Sequence, residues 1–183
     1  GLLEQGSGVD VVARRGRLGV PQEAGVHPGV AQREGVPVDA HRPLLQPAAL
    51  PLMAALCDAG RTVLLETSGA HDIANVDPRV HRIVDLKTPS SGESAKMRWA
   101  NLDLLTARDE IKFVIGSRED YEWARLKTRQ YALPERVRAV LFSPVFGKIA
   151  PASIVEWLLA DKLAVRFQLQ MHKGIWDPQR RGV

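Results

Sequence analysis

Thr62-Val63-Leu64-Leu65-Glu66-Thr67-Ser68-Gly69 is a short apolar run that ends in a polar tip. An apolar run of this length is typical of a strand that is buried in a parallel sheet. A helix is predicted just before it, from Pro47 to Ala59, because apolar residues recur there at helical spacing and proline is favoured in a first helical turn. A helix that is joined to a strand by a short connection indicates a β/α unit.

The same alternation of strands and helices continues toward the end of the chain. Further strands are predicted at residues 81–87, 111–115, 137–142 and 165–170. Helices are predicted around Trp99, Leu102 and Leu105, from a cap at Ser117 to Gln130, and from Pro151 to Ala160. Such alternation predicts an α/β fold on a mainly parallel sheet, which is either barrel-like or open and doubly wound.

Polar side chains recur where the predicted strands end. In β/α folds, ligands bind at this edge of the sheet, so these residues are candidates for one site. Some of them also have a structural alternative: Glu66 as a solvated carboxylate, His172 as a structural histidine, and Ser143 with the proline after it as a turn. The strand-end residues are Glu66, Asp85, Lys87, Ser143, Pro144, Gln170 and His172.

The first part of the chain differs in composition from the rest. The first fifty residues contain no Phe, Tyr, Trp, Ile, Met, Lys, Asn, Thr or Cys, and every aromatic residue lies at Trp99 or beyond. Few aromatic residues together with many Gly and Pro residues are typical of disorder. The missing residue types are also largely those with A/T-rich codons. We interpret residues 1–43 as either disordered or an out-of-frame translation of a GC-rich gene, and residues 44–183 as the folded part.

The overall composition excludes several classes of protein. The chain has 183 residues, of which 45% are hydrophobic and 25% charged, so it can bury one sizeable core. A formal net charge of +4 without a dense Lys/Arg stripe does not indicate nucleic-acid binding. One cysteine, Cys57, excludes an internal disulfide framework. No apolar run reaches the roughly 20 residues that span a bilayer, so we expect a cytoplasmic protein.

Four strings at successive strand ends together resemble one branch of the 7-carboxy-7-deazaguanine synthases. They occur in the family's order, and the similarity extends from Gln46 to the end of the chain. The strings are Leu65-Glu66-Thr67-Ser68-Gly69, Val84-Asp85-Leu86-Lys87-Thr88-Pro89, Ser143-Pro144-Val145-Phe146-Gly147, and Leu169-Gln170-Met171-His172-Lys173 followed by Ile175-Trp176-Asp177-Pro178.

The resemblance implies an incomplete (partial) β/α barrel of the radical-SAM type, with its N-terminal part missing or misread. Members bind a 4Fe-4S iron–sulfur cluster, S-adenosylmethionine and Mg²⁺. The implied activity is that of a carbon–nitrogen lyase, which converts 6-carboxy-5,6,7,8-tetrahydropterin into 7-carboxy-7-deazaguanine with loss of ammonia, in queuosine biosynthesis. A cytoplasmic homodimer that acts on a small pterin is also implied, with no nucleic-acid or membrane partner.

Matching to the family's motifs assigns two sets of binding residues and no catalytic residue. A carboxylate at Glu66 suits the guanidine-like edge of a pterin, because it accepts two parallel N–H bonds. The implied substrate-binding residues are Glu66, Ser68, Gln170, His172 and Pro178. The residues implied to bind S-adenosylmethionine are Asp85, Leu86, Lys87, Ser143, Pro144, Val145 and Phe146.

The sequence departs from the family at the cluster. Members hold the cluster with three cysteines, since soft thiolates bind iron–sulfur clusters, and the only cysteine here, Cys57, falls on a predicted helix. The stretch that would hold Mg²⁺ is also absent. Two hypotheses follow. The chain is either a truncated or misread record of a radical-SAM synthase, or a catalytically inactive β/α protein that retains at most pterin or partner binding.

Overall fold

The fold is built on one mixed sheet of six strands. In the computed structural model, which describes residues 11–14 and 43–177, the strands follow one another across the sheet in chain order. The first strand runs antiparallel to the second, and all the later pairs are parallel. The strands are β1 (Val11–Arg14), β2 (Thr62–Thr67), β3 (His81–Leu86), β4 (Glu110–Ile115), β5 (Ala139–Pro144) and β6 (Arg166–Phe167).

Helices or 3₁₀ turns lie in the connections from β3 to β4, from β4 to β5 and from β5 to β6, whereas residues 68–80 join β2 to β3 without a helix. The helices are α1 (Ala49–Asp58), α2 (Arg118–Gln130), α3 (Leu133–Arg136), α4 (Pro151–Asp161) and α5 (Met171–Ile175). The 3₁₀ turns are Pro43–Leu45, Pro89–Ser91, Ser94–Lys96 and Trp99–Leu104. Helix α2 begins where the sequence predicts, because the Ser117 hydroxyl accepts a hydrogen bond from the Asp120 amide at 3.1 Å.

Burial alternates residue by residue in β2, β3 and β4. Leu65, Val84 and Phe113 are fully buried, whereas their chain neighbours are half-exposed. Since successive side chains of a strand point to opposite faces, one face of the sheet is covered and the other is only half-covered. We call the half-covered face the open face; in these three strands it carries Leu64, Glu66, His81, Ile83, Asp85, Glu110, Lys112 and Val114.

Aromatic rings fill the core beneath the covered face. The Phe113 and Phe142 rings, on neighbouring strands, meet edge to face with centroids 5.4 Å apart. Tyr121 of α2 meets Phe142 at 5.9 Å and Trp157 of α4 at 5.1 Å. Helices α2 and α4 therefore pack on the covered face, and neither of them covers the open face.

The predicted α/β class is confirmed, with five strands, β2 to β6, that pair in parallel. Three elements differ in detail. The segment around Trp99 is a 3₁₀ helix, Trp99–Leu104; its apolar residues repeat every three positions, which is the 3₁₀ period. Strand β5 begins two residues later than predicted, because the short helix α3 occupies Leu133–Arg136. The last strand is Arg166–Phe167 rather than residues 165–170.

Strand β1 lies inside the segment that was interpreted as disordered or out of frame. It pairs with β2 along the register Val11↔Leu65 to Arg14↔Thr62 and so covers the outer edge of the parallel strands. Residues 1–10 and 15–42 lie outside the described residues. The boundary at residue 43, and its origin in a frame change, therefore remain predictions.

A buried ion pair joins β3 to β4 at the amino end of the sheet. Arg82 Nη2 donates to Asp109 Oδ2 at 2.6 Å, and the side chains are 7% and 0% exposed. The Arg82 and Thr106 amides also donate to this carboxylate, at 2.9 and 2.8 Å. Burial alone would raise the pKa of Asp109, but these hydrogen bonds outweigh it and hold the pKa below its usual range.

Replacing Asp109→Asn should destabilise the fold by about 3–5 kcal/mol at neutral pH, because it leaves the buried Arg82 guanidinium without its counter-charge. Because the folded-state pKa is lowered, the contribution of Asp109 is complete above the ordinary aspartate pKa of about 3.9 and declines as the pH falls below it. Urea unfolding at several pH values measures both effects. Asp103→Asn is the matched control, since Asp103 is 81% exposed in its pair with Arg136 and should cost under about 1 kcal/mol.

Candidate functional site

Two charged residues predicted to bind ligands form an ion pair at the carboxyl end of β3. Lys87 Nζ donates to Asp85 Oδ2 at 2.7 Å, and each side chain is 15% exposed. The second carboxylate oxygen, Asp85 Oδ1, is buried and has no hydrogen-bond partner within the described residues. Leu86, which lies between them, has its side chain in the core, so only its backbone can face a ligand.

Ser143 lies on the open face near the carboxyl end of β5. Its Cα partner on β4 is Val114, which shares a face with Lys112 and, through the register Asp85↔Lys112, with Asp85. Ser143 is 1% exposed, and its hydroxyl has no hydrogen-bond partner among the residues that the structure describes. Within the described residues, the buried side-chain oxygen atoms that have no hydrogen-bond partner are Asp85 Oδ1 and Ser143 Oγ.

A cavity of about 440 Å³ opens beyond the carboxyl ends of β5 and β6. Its size is within the range of small-molecule sites, and its lining is mostly apolar. Pro144, Phe146 and Gln170, three of the predicted binding residues, line it together with Leu169 and Met171. The fold therefore brings part of the third string and part of the fourth string to one cavity.

The remaining predicted residues are distributed around the same edge. Glu66 is half-buried on the open face of β2, and Ser68 follows that strand. Val145 is half-buried after β5, and its amide donates to the Ile115 carbonyl at 2.8 Å. His172 lies in α5, but its side chain, like the whole of Pro178, lies outside the described residues.

Asn101, which sequence analysis did not select, shapes the loop after β2. It is 1% exposed, and its Nδ2 donates to the carbonyls of Gly69 at 3.1 Å and His71 at 2.7 Å. Gly69 has φ +73°, and a Cβ there would lie 3.1 Å from a Val84 methyl, so glycine is required in this loop. In the sequence, Asn101 stands out only as an amide side chain among apolar residues of a helical turn, and this feature alone does not predict which backbone groups it binds.

Asp120 ties the loops that follow β3 and β4, and the sequence indicated only its place in a helix start. Its fully buried carboxylate accepts hydrogen bonds from the Ser90 and Gly116 amides, both at 2.9 Å, and from the Ser90 hydroxyl. A Cβ at Gly116 would meet Asp120 Oδ2 at 3.2 Å. The loop after Lys87 is therefore held by a residue from the next helix.

The part of the chain that the structure describes contains no group of side chains that could hold a metal ion or cluster. Among residues 11–14 and 43–177, no three His, Cys, Asp or Glu side chains are arranged to hold a metal ion. The only cysteine of the sequence, Cys57, lies in α1. Burial, and next the nearby Asp77 carboxylate, raise the pKa of its thiol, which disfavours the thiolate that binds metals. The residues of this chain do not fit a cluster held by three cysteines.

Comparison with known proteins decides the family. The chain is 47% identical over 161 residues to the 7-carboxy-7-deazaguanine synthase of Koribacter versatilis (strain Ellin345), and the match covers 81% of this chain and 71% of that protein. The chain belongs to the 7-carboxy-7-deazaguanine synthase family. The synthase of Chlorobaculum tepidum is 44% identical over 151 residues, covering 81% of this chain and 68% of the relative. That of Clostridium acetobutylicum is 34% identical over 146 residues, covering 77% and 66%.

The family assignment confirms the resemblance that the four strings indicated. No protein-family model matches the chain, so the assignment depends on the individual relatives, whose names describe enzymes. Within the described residues of this 7-carboxy-7-deazaguanine synthase homologue, no helix has the length and apolar character needed to cross a membrane.

Replacing Asp120→Ala should destabilise the fold by about 2–4 kcal/mol, because two amides and one hydroxyl lose a charged acceptor. The Ser90 and Gly116 amides should exchange hydrogen faster, while amides in the centre of β4 follow global unfolding. Amide hydrogen exchange measures both. Glu119→Ala is the matched control, since Glu119 is exposed in the same helical turn; equal protection of Ser90 and Gly116 in both variants would contradict the assignment.

Proposed function

We propose that this chain provides the substrate- and S-adenosylmethionine-binding part of a 7-carboxy-7-deazaguanine synthase. The proposed reaction is the radical-SAM ring contraction of 6-carboxy-5,6,7,8-tetrahydropterin to 7-carboxy-7-deazaguanine with loss of ammonia. It belongs to queuosine biosynthesis and to the carbon–nitrogen lyases. The relatives are named for the product of this reaction.

The observation that carries the proposal is the pair of buried polar atoms without partners. An unsatisfied buried hydroxyl or carboxylate oxygen costs free energy, and native structures retain few of them. Asp85 Oδ1 and Ser143 Oγ belong to different strands, and both side chains are on the open face. Both residues also lie within strings that match the family's S-adenosylmethionine site. A polar ligand on this face would supply the missing partners.

These residues fit S-adenosylmethionine in their chemistry. The cofactor offers hydroxyl and ammonium donors to a carboxylate, and hydroxyl and carboxylate acceptors to a serine. The apolar cavity beside Pro144 and Phe146 suits its adenine ring. When bound in a complete enzyme, S-adenosylmethionine supplies the group that removes a hydrogen atom from the substrate. The residues of this chain bind, orient and exclude water; they supply no ligand set for the cluster.

The substrate is proposed to lie between β2 and the segment after β6. Glu66 is half-buried, so a hydrogen bond between its carboxylate and a guanidine-like edge is only partly screened by water. Ser68 adds a polar contact beside it. Gln170, which follows β6 on the far side of the sheet from β2, lines the cavity, and we assign His172 and Pro178 to the same site by motif matching.

We also propose that the sheet is part of a β/α barrel. The parallel strands keep chain order, whereas doubly wound sheets reverse direction at a switch point. Alternate burial in β2 to β4 agrees with helices on one face and a ligand-binding interior on the other. A cytoplasmic homodimer is proposed on the family resemblance alone.

A second candidate is a catalytically inactive protein that binds the pterin or a partner. One cysteine in the sequence favours it, because three thiolates are needed to hold the family's cluster. Both candidates allow the chain to bind the pterin. Only the first predicts that the gene encodes three cluster-binding cysteines, and that a protein containing them incorporates close to one cluster per chain.

Calorimetry with 7-carboxy-7-deazaguanine tests the binding site directly. We expect the chain to bind it, and Glu66→Ala to weaken binding by about ten- to a hundredfold, because the N–H edge loses a charged acceptor. Glu156→Ala, an exposed carboxylate on α4, should leave the affinity unchanged. Resequencing the coding DNA for a three-cysteine motif, followed by iron analysis of the protein that contains it, distinguishes the two candidates. Absence of binding by the unaltered chain refutes the first candidate and leaves the second with partner binding alone.

Ser143→Ala should separate stability from binding. Because the Ser143 hydroxyl has no partner, its removal should leave the free energy of unfolding unchanged or raise it by about 1 kcal/mol. Affinity for S-adenosylmethionine should fall about tenfold. The contrasting variant is Thr88→Val, since the buried Thr88 hydroxyl donates to the Val114 carbonyl at 3.0 Å and its loss should cost about 1 kcal/mol. A Ser143→Ala protein that is strongly destabilised contradicts the assignment.

A further inference from the structure

Lys112 is a charged residue at the centre of the open face that no sequence motif assigned. It lies in β4, in register with Asp85 of β3 on one side and Leu141 of β5 on the other. Its side chain shares the face of Asp85 and Ser143 and is half-buried. It therefore lies between the two residues whose buried oxygen atoms have no partner.

The ammonium group of Lys112 makes no hydrogen bond or ion pair within the described residues. The nearest acidic residue in its row, Asp85, is already paired with Lys87 at 2.7 Å. One carboxylate against two ammonium groups gives this trio a net charge of +1. Arg166, the next charged residue in the same row, adds a further positive charge.

We infer that Lys112 binds the carboxylate of a ligand on the open face. The inference rests on the proposed function and adds to it a residue that determines specificity. A half-buried ammonium forms a strong, charge-assisted hydrogen bond to a carboxylate, because little water competes for it. A neutral ligand would leave the half-buried Lys112 ammonium without an ion-pair partner, so Lys112 discriminates between ligands by the presence of that one group.

Glu66 gives the same face a complementary second group. Glu66 is two register positions from Asp85 and two strands from Lys112, since Glu66 pairs with Ile83 and Ile83 with Glu110. The relatives are named for 7-carboxy-7-deazaguanine, which has an N–H-rich guanine edge at one end and a carboxylate at the other. The Glu66 carboxylate on β2 and the Lys112 ammonium on β4 are complementary to the N–H edge and the carboxylate of such a molecule.

The carboxylate has two possible sources, since S-adenosylmethionine also carries one. Both ligands are therefore compared with analogues that lack this group. The first pair is 7-carboxy-7-deazaguanine and 7-deazaguanine. The second pair is S-adenosylmethionine and decarboxylated S-adenosylmethionine. Calorimetry on the full chain measures the preference for the carboxylate within each pair.

The carboxylate preference is the ratio of the affinities for the two members of a pair. Lys112→Met should reduce this ratio by about tenfold or more in one of the two pairs, and that pair identifies which ligand supplies the carboxylate. Affinities for the analogues without a carboxylate should stay within about twofold, since they make no such contact. Lys112→Arg should retain most of the preference because it retains the charge. Lys162→Met is the charge-matched control, since Lys162 ends α4 at the opposite edge of the sheet.

Three outcomes are informative. Loss of preference in Lys112→Met with retention in Lys112→Arg and Lys162→Met supports the inference. A wild-type preference that Lys112→Met leaves unchanged in both pairs overturns the inference but leaves the proposed function intact. If the unaltered chain binds neither carboxylate ligand, the proposed function itself fails. Circular dichroism melts establish that each variant is folded.

Discussion

The two-residue period of the parallel strands is the constraint on which the rest of this structure depends. Because successive side chains point to opposite faces, the apolar half of each strand is committed to the helices and the other half to the open face. Leu65, Val84 and Phe113 fix this choice, since they are fully buried. A slip by one residue would bury Asp85 and Lys112 against the helices, at a cost that the fold does not tolerate.

Rigid loops at the carboxyl edge convert this sheet into a candidate site. Asn101 holds the loop after β2, and Asp120 holds the loops after β3 and β4. Both are buried polar residues whose hydrogen bonds are made mainly with backbone groups, so they order the loops. At the opposite, amino edge, the pair of Arg82 and Asp109 fastens neighbouring strands. Polar groups within the protein thus stabilise both edges, whereas the open face retains polar atoms without partners.

The contrast between satisfied and unsatisfied polar groups separates structural from ligand-binding residues. The Thr88 hydroxyl and the Asp120 carboxylate have partners inside the protein, whereas Ser143 Oγ and Asp85 Oδ1 have none within the described residues. A ligand that supplies the missing partners recovers the free energy that their burial costs. This arrangement suits a ligand that offers a hydrogen-bond donor to the Asp85 carboxylate and a polar group to the Ser143 hydroxyl. It does not extend to an iron–sulfur cluster, because one protonated thiol on α1 is no substitute for three thiolates.

The sequence alone predicted the alternation of strands and helices, the α/β class and the family, because apolar runs, caps and strand-end motifs are local signals. The order of the strands across the sheet was decided by the tertiary structure. It also predicted Asp85, Ser143 and Gln170 as site residues. Only the tertiary structure identified Lys112, Asn101 and Asp120, whose roles depend on neighbours from other strands and loops. Asn101 acts on a backbone about thirty residues away. Such contacts arise from strand register and packing, and a single sequence without its fold contains no signal for them.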